Sequence, residues 1–390
     1  MLHDISRLLK DVSSRQPIES FTIESGPAYF EAYEAKRTAG KAAVFVTRSS
    51  ITIRFAADNG LTVPSAASGE SNGRIVSADG TWSAPNVNDA GRASDGDHLF
   101  ETHELEVVRD AASKVAATRL VFAGVAWSGT SLLDGRQVVA CPLTRDVASH
   151  HDRRMAITIE GDVSPAQTKT IRRACSFVSG HGVEVLRYET YSAHGSLIRL
   201  THHRGFRRVG RAIHSPFVDI ADEHRMRAWT ALAEAMPRLL EAGVPIDIVI
   251  NHISGQNQVV EIEVSAALMM LAAMTAIHHR MHGDKVNEGA TSRRRELAHL
   301  NRELKLGLSD ADIDRFEKLR VELLETGFFH KFLDEANRRP IHPDHPRQTR
   351  AQLDIKFIRD VAHLIVFRLC GYSGPFYSAE QFAVRELAEA

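Results

Sequence analysis

The segment from Arg199 to Arg211 holds five arginines, His202, His203 and Phe206 and no acid. Arg204, Arg207, Arg208 and Arg211 suit a phosphate backbone, and Phe206 offers a face on which an unpaired base can stack, with an affinity that falls as salt rises. The competing reading is a strand-to-helix connection through Gly205 and Gly210 whose arginines pair with Asp219, Asp222 and Glu223.

Histidine is the other abundant chemical group, with 20 in the chain and fourteen of them from His194 onward. His278 and His282 are four apart on one helical face with Asp284 behind them, so a carboxylate from another helix would complete a divalent-metal site. Glu263 lies too far along the same helix to do so, and the glutamate of an H-E-x-x-H metalloprotease is missing. His342, Asp344 and His345 fall in a polar loop between Pro343 and Pro346. No metal and no cofactor are assigned. The chain also lacks the G-x-x-x-x-G-K-[ST] phosphate loop, the G-x-S-x-G nucleophile elbow and the G-x-G-x-x-G fingerprint, which disfavours those enzyme classes.

These groups must be positioned by a chain of 390 residues, more than one hydrophobic core organises, so two domains are expected. With 43% hydrophobic and 25% charged residues there is material for real cores, and a net charge of -1 marks neither a nucleic-acid binder nor a membrane-surface protein as a whole. Cys141, Cys175 and Cys370 are odd in number and unpaired in spacing, which fits a reducing, cytoplasmic setting. The first residues carry no apolar signal-like run. The longest apolar stretch, Val264 to Ile277, is too short to cross a bilayer and reads as a buried helix, so no membrane is expected.

Residues 1–215 alternate β-branched and aromatic runs with turn residues, the pattern of strands, at 21–23, 43–47, 51–55, 99–108, 120–127, 138–141, 155–160, 183–191 and 197–201. One helix interrupts them near 164–178. The Gly-, Ser- and Asn-rich stretch 56–97 is expected to hold hairpin loops or a mobile excursion. After Pro216 the apolar period changes to about 3.6. Helices are expected at 222–240, 259–281, around 297–304, at 310–324, 353–365 and from Ser378, with Gly243, Gly283, Gly307, Gly327 and Gly371 as stops. The fold class expected is α+β, a β-rich domain followed over 216–390 by an all-α bundle.

Two segments of this second half, Val260 to Leu271 and Arg359 to Gly374 with its Gly371-Tyr372-Ser373-Gly374 turn, resemble the HEPN-type helical domains of bacterial ApeA-related defence proteins. The resemblance covers roughly 218–390. It implies a metal-independent ribonuclease that acts as a dimer, with RNA as partner and a role in antiviral defence. Such enzymes use R-x-x-x-x-H, in which arginine grips the scissile phosphate and histidine moves the proton.

At the corresponding place stands Asn337-Arg338-Arg339-Pro340-Ile341-His342-Pro343, where Arg338 and His342 are separated by three residues instead of four. The full spacing occurs at Arg145 and His150, in the β-rich half, and at Arg294 and His299 on a helix. With 38 arginines and 20 histidines, chance alone supplies about two such spacings, so the count carries no weight. The catalytic candidates are therefore Arg338 with His342 and Arg294 with His299. Two other readings stay open: a non-catalytic oligomerisation and interaction module beside a β-rich binding domain, and a metal-dependent phosphohydrolase built on the histidines.

Overall fold

A computed structural model describes residues 2–15, 21–32, 36–46, 51–57, 71–77, 80–94, 97–109, 112–144, 153–203, 215–254, 290–325 and 350–387. The chain divides into two compact units. The first comprises Met1–Pro165 and Glu184–Arg208, the second Ala166–Val183 and Val209–Ala390.

The first unit is built on strands β1 (Phe21–Ala32), β2 (Lys36–Val46), β3 (Ile51–Ala57), β4 (Ser71–Ser77), β5 (Gly80–Arg92), β6 (His98–Thr102), β7 (Glu104–Val108), β8 (Ala117–Ala123), β9 (Gly129–Leu133), β10 (Arg136–Pro142), β11 (Arg154–Glu160), β12 (Glu184–Tyr191) and β13 (Leu197–His203). All pair antiparallel in one 13-stranded sheet. β1 to β3 form one meander and β4 to β6 another, and the pairs β3–β6 and β1–β4 close them into a ring of six. Closure removes the open edges that would otherwise invite intermolecular pairing.

Period-two patterning fills this ring. Ile51, Ile53 and Phe55 are buried while Thr52, Arg54 and Ala56 are half-buried, and Val44, Trp82, Val87 and Phe100 complete the same apolar cluster. The chain leaves the ring at a kink, where the Thr102 hydroxyl donates to the Glu104 carbonyl at 3.0 Å. Beyond it β7, β13, β12, β8, β11, β10 and β9 run side by side. Helix α1 (Leu2–Ser14) lays Leu8, Leu9 and Val12, an i, i+4 stripe, over Ala117 and Tyr191, and Ser13 donates to Thr158 at 2.7 Å.

The second unit contains α2 (Pro165–Ser179), α3 (Asp222–Glu241), α4 (Ile246–Ile253), α5 (Ala290–Glu303), α6 (Asp310–Glu325) and α7 (Arg350–Cys370). α3 buries Met226, Trp229, Leu232, Ala233 and Met236, one face at helical spacing, and packs on α7. α6 opens with a capping box in which Asp312 N–H donates to Ser309 Oγ at 3.2 Å and Ser309 N–H donates to Asp312 Oδ2 at 2.9 Å. α7 is buried at every position from Phe357 to Phe367, so it is a central helix enclosed on all sides. Among the described residues no helix is long and apolar enough to cross a membrane.

Two expectations are corrected. The stretch 56–97 is not only loop: it carries β4 and β5, two of the ring's six strands. The expected fold class, a β-rich domain followed by an all-α HEPN-like bundle, is also overturned. Among the described residues the strands form an antiparallel 13-stranded sheet and a separate hairpin, and the helices do not form an all-α bundle. Where a helix was expected from Ser378, the chain instead makes the hairpin β14 (Gly374–Ser378) and β15 (Ala383–Leu387).

The physical reason lies in a cap without a helix. Ser378 Oγ accepts the Gln381 N–H at 3.1 Å, the local signature of a helix start, but Phe382 then turns left-handed at φ 52° and sends the chain back. Phe376 and Ser378 are buried while Pro375 and Tyr377 are half-buried, the alternation of a strand.

Candidate functional site

The central helix of the second unit carries three polar residues in its buried span, Arg359, Asp360 and His363, each with at most 6% of its surface exposed. Arg359 and His363 are four apart and therefore one above the other on the same face. Asp360 is turned to the hairpin. It accepts from Ser378 Oγ at 2.6 Å, from Ala379 N–H at 3.1 Å and from Glu380 N–H at 3.1 Å. Burial still outweighs those three bonds and pushes its carboxyl above the usual range.

Arg359 and His363 have no such partners. The Nε and Nη1 of Arg359 and both ring nitrogens of His363 are buried without a hydrogen bond. Burial lowers the Arg359 guanidinium to about 10, with Asp360 opposing, so it remains cationic at neutral pH. Burial, and then the neighbouring Arg359 charge, lower His363 to about 3, which keeps the ring neutral with one N–H donor and one lone pair. Phe177 of α2 meets the His363 ring edge-on at 5.5 Å, and Phe367 flanks it at 6.3 Å. The arrangement is a buried, positive spot with donors that engage nothing in the chain.

The first unit has a buried polar row of different character. Glu189 of β12 lies directly across from Arg119 of β8, and Arg187 across from His202 of β13. Arg119 Nη1 donates to Glu189 Oε2 at 2.8 Å, Tyr191 Oη donates to the same oxygen at 2.8 Å, and Arg187 Nη1 lies 3.7 Å from Glu189 Oε1. Arg187 Nε donates to His202 Nδ1 at 3.2 Å, which places the ring proton on Nε2. Burial first, then the Arg187 and His203 charges, lower His202 to about 3. The backbone carbonyl of Arg15 accepts from Arg119 Nη2, so the end of α1 is tied into the row.

The residues singled out from sequence fall elsewhere. Arg338 and His342 lie outside the described residues, as do Arg204, Phe206, Arg207, Arg208 and Arg211, the pair Arg145 and His150, and the histidines at 278, 282, 342 and 345. Arg294 and His299 both lie on α5. The His299 Nδ1 sits 3.9 Å from Glu303 Oε1, one turn on, with 36% of its side chain exposed.

The described start of the basic segment is engaged. Arg199 Nε lies 3.3 Å from Glu106 and His203 Nδ1 lies 3.6 Å from Glu104, both on β7, while His202 is buried. Two of the acids considered as partners for the segment are occupied within α3, Asp222 by Arg225 at 3.0 Å and Glu223 by His224 at 3.4 Å.

Among the described residues no three His, Cys, Asp or Glu side chains gather as a metal site. The three cysteines are free, and burial pushes the Cys175 and Cys370 thiols up, away from thiolate reactivity. In the sequence Arg359 and His363 are two basic side chains four apart on a helix that also carries Asp354, Lys356, Asp360 and Arg368. Comparison with family models, with curated proteins and with solved structures finds no match for this chain.

Proposed function

We propose that this chain acts by binding a partner rather than by cleaving RNA. The observation that carries the reading is the state of its arginine and histidine side chains. The metal-independent cleavage that the HEPN resemblance implies uses an arginine and a histidine that a polymer can reach. In the described residues Arg359 and His363 are closed off in the core, while Arg199, His203 and His299 each lie beside a glutamate. A strand-rich unit joined to a second unit with a central helix then reads as an interaction protein, with RNA the first partner to test and a homodimer the expected assembly.

One observation favours the catalytic alternative. His299 is partly exposed, with the Glu303 carboxylate 3.9 Å from its ring, on the helix that also carries Arg294. Incubating the full chain with RNA in EDTA, beside His299→Ala and His342→Ala, separates the two. Intact RNA, retained on the protein in a gel shift, with dimers by light scattering, is the expected outcome. Cleavage in EDTA that either substitution abolishes would overturn it in favour of a ribonuclease, and cleavage that EDTA abolishes would instead favour the metal-dependent reading.

A further inference from the structure

We propose that Arg359 and His363 form a buried phosphate subsite in the core of the second unit. Four buried nitrogens on one face of one helix lack hydrogen-bond partners: Nε and Nη1 of Arg359, and Nδ1 and Nε2 of His363. Buried polar groups in folded proteins are almost always satisfied, and a buried guanidinium is among the costliest to leave open. The chain does hold an acid at the adjacent position, but Asp360 directs its oxygens to Ser378, Ala379 and Glu380. An oxyanion would satisfy these donors.

The two side chains also select among oxyanions. Arg359 supplies one positive charge and donors only, so it is neutralised by a single negative charge. His363 is neutral and asks for an acceptor at one nitrogen and a donor at the other. Sulfate and carboxylate carry no proton to give the second nitrogen. A singly charged phosphate group offers both, oxygens for Arg359 and the His363 N–H, and a P–OH for the His363 lone pair. The bound form is therefore the monoanion, whose remaining acidic proton leaves at a pH of about 6 for a phosphate ester. Affinity should fall about tenfold per pH unit above that point.

The proposal stands apart from whether the chain binds or cleaves RNA, because no polymer backbone reaches residues this deep. It also implies slow exchange, since the ligand enters only when the unit opens.

The test uses the full chain purified without added phosphate, then denatured and assayed for released phosphate, and in parallel incubated with radiolabelled inorganic phosphate at pH 5.5 and pH 8. About one phosphate per chain, or uptake at pH 5.5 that is several-fold stronger than at pH 8, is expected, with uptake reduced at least tenfold in Arg359→Met. His363→Phe carries the same test should Arg359→Met fail to fold. The absence of both co-purified phosphate and uptake, uptake unchanged in the variants, or equal competition by sulfate would each overturn the assignment.

Discussion

The polar row of the first unit and the polar stripe of the second use the same residue types and reach opposite outcomes. In the first, Glu189 sits among Arg119, Arg187 and Tyr191, and Arg187 reaches on to His202, so the charges are paired within the sheet even though Arg119 Nε is buried without a hydrogen bond. In the second, Arg359 and His363 share a helix face with no acceptor, while the one nearby acid holds a turn. A strand pair places side chains opposite one another with about 5 Å between them, so partners come from the neighbouring strand. A helix face offers only positions three or four along; those of Arg359 are Ile355, Lys356, Ala362 and His363, and Asp360, three before His363, is engaged by the hairpin. A closed network is a structural device, whereas an open one in the same protein marks a site awaiting a ligand.

Removing the acid at the centre of the closed network should have the largest effect. Glu189→Ala leaves Arg119 and Arg187 buried around a missing carboxylate, and breaking a buried pair this way costs about 3–5 kcal/mol. Chemical denaturation should show the first unit losing that much, or failing to fold. Arg359→Met, which removes a buried charge without an ion-pair partner, should be neutral or stabilising in phosphate-free buffer. Equal destabilisation by both substitutions would erase the distinction between the two sites.

Acid should expose the two histidines next. His202 and His363 both have folded values lowered from 6.5 to about 3, the first beside Arg187 and the second beside Arg359. Folding favours their neutral forms, so the unfolded chain binds more protons between those limits. The contribution is fully present above about pH 6.5 and is lost as pH falls towards 3, at about 1.4 kcal/mol per pH unit for each ring. Denaturation midpoints measured from pH 7 to pH 5 should fall accordingly, and His363→Phe should flatten the part of the profile that belongs to the second unit. A profile unchanged by that substitution would mean that His363 is not held neutral in the core.

The sequence made the strands of the first unit legible wherever β-branched and aromatic residues alternate, as at Ile51, Ile53 and Phe55. It hid β4 and β5, because the ring needs Gly73, Gly80 and Gly91 in strand positions that composition assigns to loops. β9 was missed although Asp134 and Gly135, at φ 49° and 75°, are a two-residue hairpin signal. The helices at Asp222, Asp310 and Arg350 were readable from caps and apolar period. The C-terminal hairpin was not, since Ser378 offers a cap whichever way the chain continues. The candidate site escaped notice for a related reason: Arg359 and His363 look like the solvated residues of a surface helix until the whole circumference of α7 proves to be buried.

The smallest effect concerns Asp360, which belongs to the open stripe by sequence and to a closed arrangement by its bonds. Its carboxyl is raised chiefly by burial despite three donors, so desolvation of the charge outweighs what the hydrogen bonds return. Asp360→Asn keeps one acceptor oxygen and discards the charge, and should change stability by no more than about 1 kcal/mol. Asp360→Ala strands Ser378 Oγ and the amides of Ala379 and Glu380, and should cost about 1–3 kcal/mol. Hydrogen exchange at residues 379 and 380 reads the difference directly: their amides donate to different oxygens of Asp360, so one of the two stays slow in Asn and both are fast in Ala. Fast exchange of both amides in both variants would mean that the turn depends on the negative charge itself, placing Asp360 with Glu189 and leaving Arg359 and His363 as the open part of the stripe.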